Sequence, residues 1–229
     1  MADHAADAPD TTGARAHLTN DEAAAIEAGR KLFAAECRFV HAAQRLDQLP
    51  QPMGAEVAFA GRSNVGKSSL LNALTGRRAL ARVSTEPGRT RQLNFFDLAE
   101  RLTLVDMPGY GYARAGRAVK QDWQGLMFDY LRGRPTLRRV MLLLDARIEL
   151  KAADSEVMDL LDRAAVTFQL VLTKADAVKP EALARKLAEV TALARRHAAA
   201  YPEVVVTSSE TGQGIAKLRA AIAMLAEMV

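Results

Sequence analysis

The eight residues Gly61-Arg62-Ser63-Asn64-Val65-Gly66-Lys67-Ser68 constrain this chain more than any other stretch. They match G-x-x-x-x-G-K-[ST], a pattern with physical meaning only between a strand and a helix. Both flanks are of the right kind. Val57-Ala58-Phe59-Ala60 reads as a short buried strand, while Ser69-Leu70-Leu71-Asn72-Ala73-Leu74 places leucines at helical spacing and stops at Thr75-Gly76. Strand, glycine loop and helix start gather backbone N–H groups and a positive helix end around one point, which suits polyphosphate. In this pattern Lys67 reaches the β- and γ-phosphates, and the Ser68 hydroxyl is a ligand for Mg²⁺. The motif alone leaves open which base is bound and whether the phosphate is hydrolysed.

At 229 residues the chain is long enough for one large α/β core. A formal charge of +4 admits a polyanionic partner without requiring one. Cys37 is the only cysteine, so no intramolecular disulfide forms, which fits a reducing cytoplasm. The first sixteen residues carry Asp3, Asp7 and Asp10 and no apolar core, unlike a secretory signal. No apolar run is long enough to span a bilayer. The expectation is a cytoplasmic protein with no membrane segment, monomeric by default.

Residues 1–18, rich in Ala, Asp, Thr and Gly, read as a disordered tail. Thr19-Asn20-Asp21-Glu22 has the form of a capping box, predicting a helix from about Asp21 to Glu36. Arg38–Ala42 reads as an opening strand, and Leu49-Pro50-Gln51-Pro52 as a turn. Residues 19–50 thus form a helix-and-strand extension ahead of a main domain over 51–229. Residues 77–91 are polar and basic, too long for a plain turn, and predict a functional loop. Leu93–Leu98 and Leu102–Asp106 are strands whose brief connection favours an antiparallel hairpin. Helices are then predicted near 117–132, near 153–164, after Pro180, and from about Ile215 to Met228. They alternate with strands at Val140–Asp145, Phe168–Leu172 and Val204–Val206. Apolar strands separated by amphipathic helices give one doubly wound α/β domain, its mainly parallel sheet covered on both faces. Ligands are expected at the carboxyl ends of the strands.

Four further motifs stand at predicted strand ends or between them. In Asp106-Met107-Pro108-Gly109, the aspartate suits Mg²⁺ held through water and the Gly109 N–H suits a γ-phosphate, although D-x-P-G is also an ordinary turn composition. Thr173-Lys174-Ala175-Asp176 selects a base. Guanine offers N1–H and a 2-amino group side by side to the Asp176 carboxylate, whereas adenine would oppose it with an acceptor. The stem of Lys174 suits the purine face. In Thr207-Ser208-Ser209 a backbone N–H is placed to meet guanine O6, though a polar cap would look the same. Thr90, between the phosphate loop and Asp106, is a hydroxyl able to complete the Mg²⁺ shell in the triphosphate state.

Together G-R-S-N-V-G-K-S, P-G-R-T-R, D-M-P-G-Y-G-Y-A, T-K-A-D and the late S-S resemble the bacterial EngB (YihA/YsxC) family of GTPases, related to Era and EngA within the TRAFAC class. The resemblance covers roughly residues 20–228. It implies a single Ras-like G domain of the P-loop NTPase fold, with GTP or GDP as ligand, Mg²⁺, slow hydrolysis, and work on the large ribosomal subunit or its rRNA-containing precursor. Cell division and septation are also implied. By the same resemblance the nucleotide-binding set extends from Gly61–Ser68 to Gly88, Arg89, Thr90, Arg91 and Gln92, then Asp106–Gly109, Thr173–Asp176 and Thr207–Ser209. Lys67, Thr90, Gly109 and Asn64 act on the reaction, and Ser68, Thr90 and Asp106 on the metal.

Two departures from the wider GTPase pattern matter. Many GTPases place a water-orienting glutamine directly after the glycine of D-x-x-G, where this chain has Tyr110. Slow intrinsic turnover is therefore expected, with help from K⁺ seated by Asn64, an asparagine found there in potassium-activated relatives. Thr173 replaces the asparagine common in its motif, which predicts a weaker tether between base loop and phosphate loop. Positive charge in residues 77–91 and 112–139, including Arg77, Arg134, Arg138 and Arg139, is read as a basic surface around the switch loops that suits RNA phosphates. Trp123 reads as a core anchor, Asp145-Ala146-Arg147 as an ion pair or cap, and the histidines show no metal spacing. Two alternatives remain at this level: an ATP-using P-loop enzyme, which Asp176 disfavours, and a GTP-responsive docking protein with negligible turnover, which Tyr110 motivates.

Overall fold

The computed structural model describes residues 19–77, 80, 92–110, 125 and 127–227. Trp123, most of the basic loop at 78–91 and the start of the helix predicted near 117 lie outside the described residues.

Helix α1 (Asn20–Ala34) starts as its sequence dictates: Glu22 N–H donates to the Thr19 hydroxyl at 3.2 Å, and the Thr19 N–H donates back to the Glu22 carboxylate at 2.9 Å. The chain continues through β1 (Cys37–Ala43), β2 (Ala55–Gly61), α2 (Lys67–Thr75), β3 (Leu93–Leu98) and β4 (Leu102–Asp106). Helical residues 127–133 (α3) precede β5 (Leu137–Asp145), α4 (Ala152–Ala164), β6 (Phe168–Thr173), α5 (Pro180–Ala194), β7 (Val205–Val206) and α6 (Ile215–Ala226). The seven strands form one sheet in the order β1-β3-β4-β2-β5-β6-β7. β3 and β4 pair antiparallel, as their short connection predicts, and β1 adds antiparallel to β3. The pairs from β4 across to β7 are parallel.

The strands read as continuous apolar runs because both faces are buried. Along β5, Val140, Leu142 and Leu144 face α3, α4 and α5, where they meet Tyr130, Met158 and Leu161. The intervening Met141 and Leu143 face α1, α2 and α6, with Phe33, Leu71 and Leu218. This period-two division makes two cores from one sheet. Cys37 lies in the second, where burial raises its thiol to about 11, the Arg77 charge opposing and Asp97 adding to it.

A polar cluster closes the amino end of the sheet. Glu56, 1% exposed, accepts from Arg134 at 2.6 Å, from the Thr136 hydroxyl at 2.8 Å and from the Tyr130 phenol at 3.2 Å. Arg134 also donates to the Pro50 carbonyl at 2.7 Å. Arg138 and Arg139 open β5 at the same end, Arg139 lying 3.9 Å over the Tyr201 ring, and Arg77 follows the C-terminal end of α2. These arginines therefore do not join a basic surface around the phosphate loop, contrary to the expectation from charge alone. Sequence adjacency placed them near the switches, whereas the sheet sends them to its opposite pole. Replacing Glu56 by Gln leaves the buried Arg134 without its counter-charge, and urea unfolding is expected to show a loss of about 3–5 kcal/mol. An unchanged midpoint would contradict the buried pair.

Candidate functional site

The loops that follow β2, β5, β6 and β7 all leave the carboxyl edge of the parallel strands, where a doubly wound sheet opens a crevice. The phosphate loop is shaped by backbone conformation. Gly66 has φ of 103°, a region that side chains avoid, and Asn64 is left-handed at 63°. α2 then begins at Lys67 with no side-chain cap, its first turn closed by Leu70 N–H to the Gly66 carbonyl at 2.8 Å. The uncapped N–H groups of Lys67 and Ser68 thus face the loop's concave side, a ready anion site.

Thr173 and Lys174 bind this loop to the end of β6, two strands away in the sheet. The Thr173 hydroxyl donates to the Val65 carbonyl at 2.6 Å, and Lys174 Nζ donates to the Asn64 carbonyl at 2.5 Å. Where a weaker tether was expected, the hydroxyl of Thr173, a residue 4% exposed, itself joins the two loops. Lys174 also meets Asp145 at 2.9 Å, and Asp145 takes two bonds from the Arg147 side chain at 3.0 and 2.8 Å. The Asp145-Ala146-Arg147 ion pair is thus present and doubles as a support for Lys174. Burial acts to raise the Asp145 carboxyl, but the bonds from Arg147 and Lys174 outweigh it and bring it from 3.8 to about 2.

Lys174 adopts a left-handed conformation, after which Ala175–Ala177 form a single 3-10 turn. Asp176 on that turn is exposed and makes no hydrogen bond or ion pair with a described residue. It shares the carboxyl edge with Lys67. Beside it, the Thr207 N–H donates to the Leu172 carbonyl and the Ser208 N–H to the Gln213 carbonyl. The Ser208 hydroxyl accepts from the N–H groups of Glu210 and Thr211, at 3.2 and 3.1 Å. Of the three residues proposed for the base carbonyl, Thr207 and Ser208 are therefore occupied within the fold. Ser209 keeps a backbone N–H without a partner among the described residues.

At the phosphate end, Lys67 pairs with Asp106, whose residue is 9% exposed. Asn94, opposite Asp106 in the β3–β4 ladder, donates to its second oxygen at 3.5 Å and accepts from Gln92 at 2.9 Å. Sequence reasoning named Gln92 and missed Asn94; the polar break Asn94 makes within an apolar strand was the available signal. Ser68 and Asp106 are hard oxygen donors of the kind Mg²⁺ prefers, and described residues hold no cluster of three His, Cys, Asp or Glu side chains for a transition metal. Gly88, Arg89, Thr90 and Arg91 lie outside the described residues.

Met107-Pro108-Gly109 runs from β4 along the phosphate loop. Met107 N–H donates to the Phe59 carbonyl at 3.0 Å, Tyr110 N–H to Gly61 at 3.2 Å, and Ser63 N–H to Tyr110 at 3.2 Å. The Tyr110 side chain turns away from this seam. It is 5% exposed, and its hydroxyl donates to Asp154 of α4 at 2.9 Å. Burial and then the Asp154 charge raise the phenol well above its ordinary value. Asp154, 2% exposed, also accepts from the Lys151 N–H at 2.9 Å. Tyr110 therefore stands in the glutamine position as a core side chain, engaged with a carboxylate no motif announced. On the α4 side of the loop a cleft of about 200 Å³ is lined by Arg62, Asp145, Arg147 and Asp154 among others.

A family model described as "50S ribosome-binding GTPase" matches residues 56–174. The chain is 71% identical over 206 residues to a protein of Granulibacter bethesdensis named "Probable GTP-binding protein EngB", covering 90% of this chain and 92% of that one. A protein of the same name from Gluconobacter oxydans is 70% identical over 203 residues, 89% of each chain. A crystal structure of a probable GTP-binding protein engB shares the fold with a TM-score of 0.61 and 23% identity, over 76% of this chain and all of that one.

Because its native carboxyl lies near 2 rather than 3.8, Asp145 contributes stability above about pH 4 that is lost as the pH falls toward 2. The difference in urea midpoint between the wild-type chain and Asp145→Asn is expected to be constant from pH 5 to 8 and to shrink only in that acid window. A difference varying near neutrality would assign it to another group.

Proposed function

The chain belongs to the EngB family of GTP-binding proteins, and from that premise we propose a GTP-hydrolysing switch acting on the large ribosomal subunit or its precursor. The observation that carries the reading is the exposed Asp176 carboxylate on the same edge as the phosphate loop, which Thr173 and Lys174 tie to the base loop. Guanine N1–H and its 2-amino group donate to Asp176, the Ser209 N–H donates to O6, and the Lys174 stem covers the ring. Residues 51–229 serve as the GTPase domain, and 19–50 supply its first helix and strand.

The phosphates of GTP occupy the concave side of Gly61–Ser68, including the loop backbone at Arg62, Ser63 and Val65. Lys67 exchanges Asp106 for the β- and γ-phosphates, and the Gly109 N–H meets the γ-phosphate. Ser68 and Asp106 would hold Mg²⁺, with Thr90 as a further ligand in the triphosphate state. Bound there, the metal neutralises phosphate charge. Gly88, Arg89, Arg91 and Gln92 line the loop that carries Thr90, and Met107 and Pro108 set the approach of Gly109. Water attacks the γ-phosphorus in line, the bond to the β–γ bridging oxygen breaks, and GDP leaves with that electron pair. Inorganic phosphate keeps the water's oxygen.

Turnover is slow because Tyr110, with its hydroxyl given to Asp154, does not orient the attacking water. Asn64 supplies the alternative. Its side-chain amide makes no hydrogen bond with a described residue, while its carbonyl is fixed by Lys174. The amide oxygen is free to seat K⁺ beside the β–γ bridge. Single-turnover hydrolysis is expected to run faster in K⁺ than in Na⁺, and Asn64→Ala to abolish the difference; equal rates for the wild-type chain would remove K⁺ from the mechanism.

The proposed ribosomal partner draws on the description of the matching family model, which covers about half the chain. Arg78, Arg82, Arg89, Arg91, Arg114, Arg117 and Lys120 supply charge for rRNA phosphates. A cytoplasmic setting, and a part in cell division and septation, follow from the family resemblance. Cosedimentation with large subunits is expected to be stronger with a non-hydrolysable GTP analogue than with GDP, and to weaken as salt rises. Association indifferent to both nucleotide and salt would refute this reading.

A further inference from the structure

The phosphate loop contains a hydroxyl that no described residue satisfies. Ser63 Oγ is buried and makes no hydrogen bond among the described residues. Its backbone N–H is nevertheless engaged in the seam with the segment after β4, through the bond to the Tyr110 carbonyl. The side chain lies against Gly109: a Cβ placed there would come within 3.1 Å of Ser63 Oγ and 3.3 Å of Ser63 N. Folds seldom retain a buried hydroxyl without a partner, so such a group usually marks a ligand's position.

The location identifies the ligand atom. Ser63 sits between Gly109, whose N–H senses a terminal phosphate, and the loop that Lys67 closes. A serine hydroxyl offers one donor, and a phosphate oxygen offers only lone pairs, so the two match. Lys67 and Ser68 open α2 and face the inner phosphates, whereas Ser63 precedes the helix and lies against Gly109. We propose that the Ser63 hydroxyl donates to a γ-phosphate oxygen of GTP, making Ser63 a specificity-determining residue that favours the triphosphate over the diphosphate. The contact is charge-assisted, and GDP lacks the oxygen that receives it. A side chain at Gly109 would crowd the same hydroxyl, its Cβ lying 3.1 Å from Ser63 Oγ.

This inference rests on the nucleotide reading above, and calorimetry separates the two. With Mg²⁺ present, Ser63→Ala is expected to bind a non-hydrolysable GTP analogue about tenfold more weakly than the wild-type chain, with GDP affinity within about twofold, a difference worth about 1.4 kcal/mol. Ser63→Gly, which removes the hydroxyl together with the Cβ, should show the same split. GDP binding by both variants reports that the loop is folded. Equal losses for the two nucleotides would make Ser63 a structural loop residue and overturn the proposal, as would no loss for either. A wild-type chain that binds neither nucleotide would instead sink the underlying reading.

Discussion

One hydrogen bond, from the Thr173 hydroxyl to the Val65 carbonyl, joins loops separated by 108 residues. Without it the phosphate loop and the base loop would be two turns at the same sheet edge. With it, and with Lys174 on the Asn64 carbonyl, the grip on one end of a nucleotide is set by the geometry of the other. Asp145 stands behind this arrangement, holding Lys174 from below while Arg147 holds Asp145. Such a chain of polar groups is productive only when every member is satisfied. Here the strands that carry it are packed on both faces, so the members cannot drift apart.

Much of this was legible in the sequence because it depends on local rules. The capping box at Thr19, the β3–β4 hairpin and the alternation of strands and helices follow from spacing and turn chemistry, and the observed elements agree within a few residues. The strand, loop and helix of the phosphate-loop segment were legible because its pattern fixes residue types at fixed intervals. What escaped depends on contacts across the fold. Asn94 matters because the ladder sets it opposite Asp106, and Asp154 because α4 brings it under Tyr110. Neither belongs to a motif. Comparing residue types at Thr173 said nothing of reach: its hydroxyl, at the end of β6, meets the Val65 carbonyl of the phosphate loop at 2.6 Å. Arg134 looked like part of a basic surface until the sheet placed it against Glu56.

The two ends of the sheet therefore do different work. At the amino end, charges are buried and spent on one another, in the cluster of Glu56, Arg134, Tyr130 and Thr136. At the carboxyl end, Asp176 is exposed and, like the Ser209 N–H, makes no hydrogen bond with a described residue, and the first turn of α2 has no side-chain cap. The contrast is what a binding edge requires, since groups already satisfied by the fold have little to offer a ligand.

The bond between Tyr110 and Asp154 also restricts which mutational paths are open. A glutamine introduced at position 110 would not simply restore a water-orienting amide. It would withdraw the donor that a 2% exposed carboxylate depends on, a loss of about 1–3 kcal/mol before any catalytic gain. Position 154 would have to change first or together with it, so the two sites are epistatic despite lying 44 residues apart in the chain. A lineage that has settled on this tyrosine therefore changes both positions or neither.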